Sequence, residues 1–188
     1  MAEVIVIGAG PAGASAALFL AKAGKETLVL DSNGSMTKRA WIENHYGVKE
    51  TSGPDLLQTG REQAEKFGAK FIEEKVIAVD TNGETKITVK TESGRSYEAS
   101  HVILATGALT DLAKSIGITL KDGREPRIKT VIDTDANGRT SKPRIWAAGT
   151  VAGVSVHTII TAGDGAKVAI EIISELNGER YVDHDILK

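Results

Sequence analysis

Six residues near the start of the chain, Gly8-Ala9-Gly10-Pro11-Ala12-Gly13, have a spacing that brings backbone N–H groups to a pyrophosphate. In such a turn the first glycine makes the tight bend. The second lets a phosphate approach the backbone, and the third lets helix and strand pack closely. A helix starting at this point adds unpaired N–H groups and a partial positive charge. Asp31 follows Gly13 by 18 residues, at the end of an apolar run. There a carboxylate accepts hydrogen bonds from an adenosine ribose diol. The chemistry indicated is dinucleotide binding. FAD and NAD both carry that ribose, so these residues leave the choice between them open. Lys38 and Arg39, in the loop after Asp31, are placed to reach the pyrophosphate.

Other chemistries are excluded or unsupported. The 188 residues include no cysteine, so there is no disulfide framework, thiolate metal site, cysteine nucleophile or CxxC dithiol. His45 and His101 lie in no metal-ligand pattern, His184 lies in the tail, and no nucleophilic triad is visible. With 23 basic and 25 acidic residues the net charge is −2, which argues against a nucleic-acid or membrane-surface partner. Val4 to Ala21 is 18 residues without a charge, the lower limit for a membrane span. Glycines and Pro11 interrupt it, and Glu3 precedes it where a signal peptide has basic residues. A buried βα turn in a cytoplasmic protein is the expectation.

The elements that must hold these residues follow from the hydropathy pattern. Glu3 to Ile7 reads as a strand buried on both faces. Ala12 to Ala23 reads as a helix stopped by Gly24, and Thr27 to Leu30 as a second strand ending at Asp31. Together they form a βαβ unit. Residues 32–53 lack periodicity, and a loop of that length is expected to bind something. Ser52-Gly53-Pro54-Asp55 reads as a helix start, with the helix running to Phe67. Short strands are expected at Lys70–Glu73, Val76–Asp80, Lys86–Thr91 and Ser96–Ala99, with turns at Asn82-Gly83 and Ser93-Gly94. Separate core strands are expected at His101–Ala105 and Arg144–Ala148, and a long last helix over His157–Leu176. A turn is expected at Asp135–Gly138, within the otherwise unreadable stretch 110–143. The predicted class is α/β: a single Rossmann-like domain over residues 1–188, a parallel sheet with helices plus a small antiparallel meander.

Beyond this, most of the chain resembles the FAD-binding domain of the thioredoxin reductase family. The run VIGAGPAGASAALFLAKAGKETLVLD, from Val6 to Asp31, is similar to the family's opening. Asn44-His45-Tyr46-Gly47 resembles its asparagine–aromatic–proline–glycine segment, which lies against the flavin. Ser52 to Leu57 and Glu62 to Ala69 resemble the helix after it. Val102-Ile103-Leu104-Ala105-Thr106-Gly107-Ala108 is similar to its ATG motif. Asp135 to Ser141 with Ala147-Ala148-Gly149, and Thr161 to Ala166, resemble its last flavin motif and final helix. The resemblance implies FAD as cofactor. It assigns Gly8, Gly10, Pro11, Ala12, Gly13, Asp31 and Val76 to the ADP half, to which Lys38 is added from its position in the loop alone. Asn44, Ala105, Thr106, Gly107, Gly149, Thr150, His157 and Thr158 go to the flavin half. It also implies a homodimer paired through this domain.

Three departures shape the functional expectation. Full-length relatives carry an NADPH domain with the redox CxxC after the ATG segment; here Gly107 leads to Ala147 in 40 residues, too few for a second βαβ domain. Thr150 stands where relatives usually have an aspartate, and weaker FAD retention is expected. Val156-His157 stands where relatives tend to have Arg-Gln, so His157 either acts on the flavin edge or caps the helix. The expectation is a flavoprotein oxidoreductase, not a self-contained thioredoxin reductase, exchanging electrons with a separate donor or acceptor. A non-catalytic flavin-binding module is the alternative, and an NAD enzyme is a third reading.

Overall fold

The first strand, β1 (Ala2–Ile7), is fully buried from Val4 to Ile7, as a continuous apolar run requires of a central parallel strand. Its chain turns through Gly8–Gly10 into α1 (Pro11–Lys22), with Pro11 in the first turn. Small residues Ala12, Gly13, Ala16 and Ala17 form the buried face of α1. Gly24, at φ 76°, ends the helix region, and β2 (Thr27–Asp31) follows. The computed structural model describes residues 1–83 and 85–187.

The loop after β2 is ordered by three small features. Residues Met36–Arg39 form a 3₁₀ turn, and β3 (Trp41–Ile42) pairs antiparallel with β4 (Thr51–Ser52). Ser52 then caps α2 (Gly53–Lys66), its hydroxyl accepting from Asp55 N–H at 3.2 Å. Beyond α2 come β5 (Lys70–Glu73), β6 (Val76–Asp80), β7 (Ile87–Thr91) and β8 (Ser96–Leu104). The strands expected at Ser96–Ala99 and His101–Ala105 are one strand. Its first half pairs antiparallel with β7 and alternates in burial. Its second half lies parallel beside β1 and is buried throughout. The two hydropathy patterns belong to two neighbourhoods along one backbone.

The stretch 110–143 resolves into α3 (Asp111–Ser115) and a hairpin of β9 (Leu120–Asp122) and β10 (Thr130–Ile132). Asp135 accepts from the N–H of Asn137 and of Arg139, which makes the expected turn. Last come β11 (Ile145–Ala147), a 3₁₀ turn at Gly149–Ala152, and α4 (Thr158–Asn177).

The main sheet runs β5-β2-β1-β8-β7-β6, with β11 joining β8 alongside β7. The strands β5, β2, β1, β8 and β11 are parallel; β6, β7 and the start of β8 form the antiparallel meander. This is the α/β, Rossmann-like class read from the sequence. Residues from α1, α2 and α4 cover one face, around Val4, Val6, Ile103 and Trp146. The meander, Ala113, Ile118 and Ile132 enclose the other, around Ile5, Leu30, Leu104 and Ile145. Both the Gly8 turn and Ala105–Gly107 leave the sheet at the carboxyl ends of neighbouring strands, where ligands of open α/β sheets bind.

Candidate dinucleotide site

The glycine turn is shaped by close approach. Gly8 has φ 101°, and a Cβ there would lie 2.5 Å from Ala105 O. A Cβ at Gly13 would lie 1.8 Å from Gly8 O. Neither position admits another residue without moving backbone. Gly10 differs: its missing Cβ would face open space, with only Ser35 Oγ at 3.4 Å. The turn is closed on the strand side and open outward. Gly10 is also the N-cap of α1 and supplies no side-chain cap, so the first-turn N–H groups remain free for an anion.

Asp31 lies beside this turn. Its Oδ1 accepts from Ala9 N–H at 3.1 Å, which ties the acid to the glycine loop and leaves the other oxygen for a hydroxyl. Glu74 N–H donates to Asp31 O at 2.9 Å, so Val76 lies at the same end of the sheet. Lys38 is turned elsewhere: its Nζ donates to Asn33 O at 2.9 Å and to Asn33 Oδ1. Arg39 is exposed on the same 3₁₀ turn.

The C-terminal motifs converge on the same turn. A Cβ at Gly149, which has φ 80°, would lie 2.7 Å from Ala12 Cβ. A Cβ at Gly165 would lie 2.0 Å from Ala12 O. Gly149 N–H donates to the buried Asp164 Oδ2 at 2.8 Å. Ala12, Gly149, Asp164 and Gly165 therefore form one junction where α1, the 149–152 turn and α4 meet. Thr150 follows directly, half-buried. Ala105 N–H donates to Ile7 O at 2.9 Å, Thr106 Oγ1 donates to Leu109 O at 2.6 Å, and Gly107 has φ 65° with no neighbour within 4 Å of a Cβ there.

At the start of α4, His157 is the N-cap by backbone only, with no side-chain cap bond. Its Nδ1 instead meets Ser155 Oγ at 2.8 Å. Thr158 Oγ1 meets His45 Nδ1 at 3.0 Å, which joins the Asn44–Gly47 segment to the helix start. Asn44 is exposed beside it. Trp41 and Tyr46 are exposed.

Three residues here make contacts that the sequence pattern does not assign. Asp164 was read only as part of a motif, although a lone carboxylate amid small residues on a buried helix face was a usable signal. His45 stands in the Asn44–Gly47 segment and in no metal-ligand pattern, and nothing in the sequence marks its contact with Thr158. Ser35 carried no signal, since its approach to Gly10 depends on the 3₁₀ turn. Among the described residues no cluster fits a metal ion, and no helix is long and apolar enough to cross a membrane. His101 lies away from these motifs, buried against Trp146, whose indole N–H donates to its Nδ1 at 3.1 Å. Burial holds its pKa below the usual histidine range, with nearby Arg144 acting the same way and Glu175 opposing it.

The family model described as pyridine nucleotide-disulphide oxidoreductase matches residues 2–124. A thioredoxin reductase of Aquifex aeolicus is 46% identical over 111 residues, 57% of this chain and 34% of that protein. One of Streptomyces coelicolor is 41% identical over 111 residues, 56% of this chain and again 34% of that protein. The chain thus spans about a third of the length of these relatives. Among solved structures, a thioredoxin reductase from Gloeobacter violaceus matches with TM-score 0.79 at 19% identity, covering 99% of each chain. An oxidoreductase from Agrobacterium tumefaciens matches with TM-score 0.82 at 17% identity, covering 95% of this chain and 99% of that one. At such identities these two matches bear on the fold alone.

Proposed function

The chain belongs to the pyridine nucleotide-disulphide oxidoreductase family, and from that premise we propose that it is an FAD-binding flavoprotein that exchanges electrons with a separate donor or acceptor. The observation that carries this reading is the junction at Ala12. There the closed, outward-facing glycine turn and the Gly149–Thr150 turn share one wall, so a ligand with a pyrophosphate between two ends can touch both. An elongated dinucleotide with a flavin end suits that arrangement. It is less suited to a mononucleotide reaching only the first βαβ unit.

The residues assigned to the ADP half are Gly8, Gly10, Pro11, Ala12, Gly13, Asp31 and Val76. Gly10 leaves the backbone accessible, and the start of α1 stabilises phosphate charge. Lys38 reaches phosphate only by releasing Asn33. At the other half stand Asn44, Ala105, Thr106, Gly107, Gly149, Thr150, His157 and Thr158. Thr150 can donate and accept one hydroxyl hydrogen bond there. The positive end of α4 favours negative charge at its end of the site, and the neighbouring imidazole of His157 can hydrogen-bond there. The bound flavin supplies the redox chemistry, and the protein positions it and controls access.

Within this chain the segment from Gly107 to β11 holds α3 and the β9–β10 hairpin and no nucleotide-binding βαβ unit. We read residues 1–188 as one FAD domain of a cytoplasmic protein that pairs as a homodimer and reacts slowly with free NADH or NADPH. Purification tests the cofactor directly. The protein is expected to be yellow, or to turn yellow on titration with FAD, and to release FAD on denaturation. Protein that binds NAD and leaves FAD untouched refutes the reading. Anaerobic reduction against a panel of donors then separates a redox enzyme from a non-catalytic module.

A further inference from the structure

We propose that Asp164 is a positioning residue that sets the spacing between the two halves of the cofactor site, an inference that rests on the FAD reading above. Asp164 lies on α4 with its side chain only 7% exposed. A buried carboxylate is costly unless its oxygens are partnered. Oδ2 accepts from Gly149 N–H at 2.8 Å, and Oδ1 pairs with Lys167 Nζ at 2.7 Å. The Lys167 side chain is half exposed, so that pair contributes little attraction. The directed contact is the one to Gly149.

The rest of the junction is steric. Gly165 lies against Ala12 O, and Gly149 lies against Ala12 Cβ. Such contacts set a minimum distance and do not hold surfaces in register. Asp164 supplies the hydrogen bond that draws the 149–152 turn onto the wall formed by α1 and α4. The same wall carries Ala12, one residue after Pro11 and two after the phosphate-facing Gly10. Displacing Gly149 therefore moves Thr150 relative to the glycine turn. Gly149 is buried, and among the described residues Asp164 Oδ2 is the acceptor of its N–H. The carboxylate acts through the backbone it holds and need not touch the ligand.

The test uses Asp164→Ala, Asp164→Asn and Asp164→Glu in the full chain, with FAD as the probe. The readouts are the FAD dissociation constant, by flavin fluorescence, and the exchange rate of the Gly149 amide in the apo protein. Asp164→Ala is expected to weaken FAD binding about tenfold or more, equivalent to about 1.4 kcal/mol, and to speed Gly149 exchange. Asp164→Asn keeps an acceptor and is expected within about threefold of wild type. Asp164→Glu keeps the charge but lengthens the side chain, and is expected to weaken binding about as much as the alanine variant; it carries the test if that variant does not fold. An alanine or glutamate variant that binds as wild type overturns the inference, as does an asparagine variant as weak as alanine. Failure of the wild-type protein to bind FAD overturns the cofactor reading, and the inference with it.

Discussion

Two glycines of α4, two residues apart, should respond oppositely to the same substitution. Gly163 is exposed, and a Cβ built there meets nothing within 4 Å. Replacing a helix-interior glycine by alanine stabilises by about 0.8–1 kcal/mol when space is free. For a chain of this size that raises Tm by about 2–4 °C. At Gly165 the same gain is opposed by a collision. The new Cβ would lie 2.0 Å from Ala12 O, 2.7 Å from Ala12 C and 2.9 Å from Ala12 Cα. All three are backbone atoms inside α1, so no rotamer change relieves them. The helices must part by roughly 1–1.5 Å to reach ordinary contact. That loosens Ala12, Ala16, Val168 and Ala169, which are buried together. Overpacking costs about 1–3 kcal/mol, and rigid backbone places this case at the upper end. The net expectation for Gly165→Ala is a loss of about 2 kcal/mol, or about 4–8 °C in Tm. The assay is thermal unfolding of the apo proteins by circular dichroism, since bound ligand would shift every midpoint. A Gly165→Ala protein melting at or above wild type would refute the close crossing of α4 over α1 at Ala12.

Three further outcomes are expected. Thr150→Asp puts a charged acceptor where Thr150 has a hydroxyl and should tighten FAD binding by about 1–1.5 kcal/mol, the difference between a charged and a neutral hydrogen bond; an unchanged dissociation constant would refute that role for position 150. His157→Ala removes an imidazole beside the positive end of α4 and should lower the flavin midpoint potential; identical potentials would leave His157 a structural contact to Ser155. Stability should fall with acid because of His101. Its folded pKa lies below the usual value of 6.5, so the unfolded chain binds the proton first. The contribution is therefore complete above 6.5 and is lost progressively below it. Protonation also removes the acceptor for the Trp146 indole N–H. Urea unfolding at pH 7.5 and 5.5 should show a smaller loss in His101→Gln than in wild type, and equal losses would count against the assignment.

Local features were legible from the residues because they depend on neighbours a few positions away. The first βαβ unit, the helix start at Ser52–Asp55 and the strands β5 and β6 are of this kind, and the structure has them where the pattern predicts. The stretch 110–143 was not legible. Its helix has five residues and its two strands three each, too short to establish a period. The split reading of β8 came from the opposite problem, a clear change of period along one continuous strand.

The candidate site divides along the same line. The sequence by itself determined the glycine turn and the acid after β2, because the steric demands of a tight turn select glycine and the length of one βαβ unit sets the distance to Asp31. It also determined that no thiol chemistry is available. The tertiary structure alone decided that Gly149, Asp164 and Gly165 meet Ala12, that His45 meets Thr158, and that Lys38 faces Asn33. The Ala12 junction and the His45–Thr158 contact join segments more than a hundred residues apart. They follow from which strands lie side by side and which helices share a face. That choice is made by the summed burial of two cores, a quantity no short window of residues contains. Lys38 is the local exception: its loop lacks a period, and a flexible side chain takes whichever acceptor the folded loop presents.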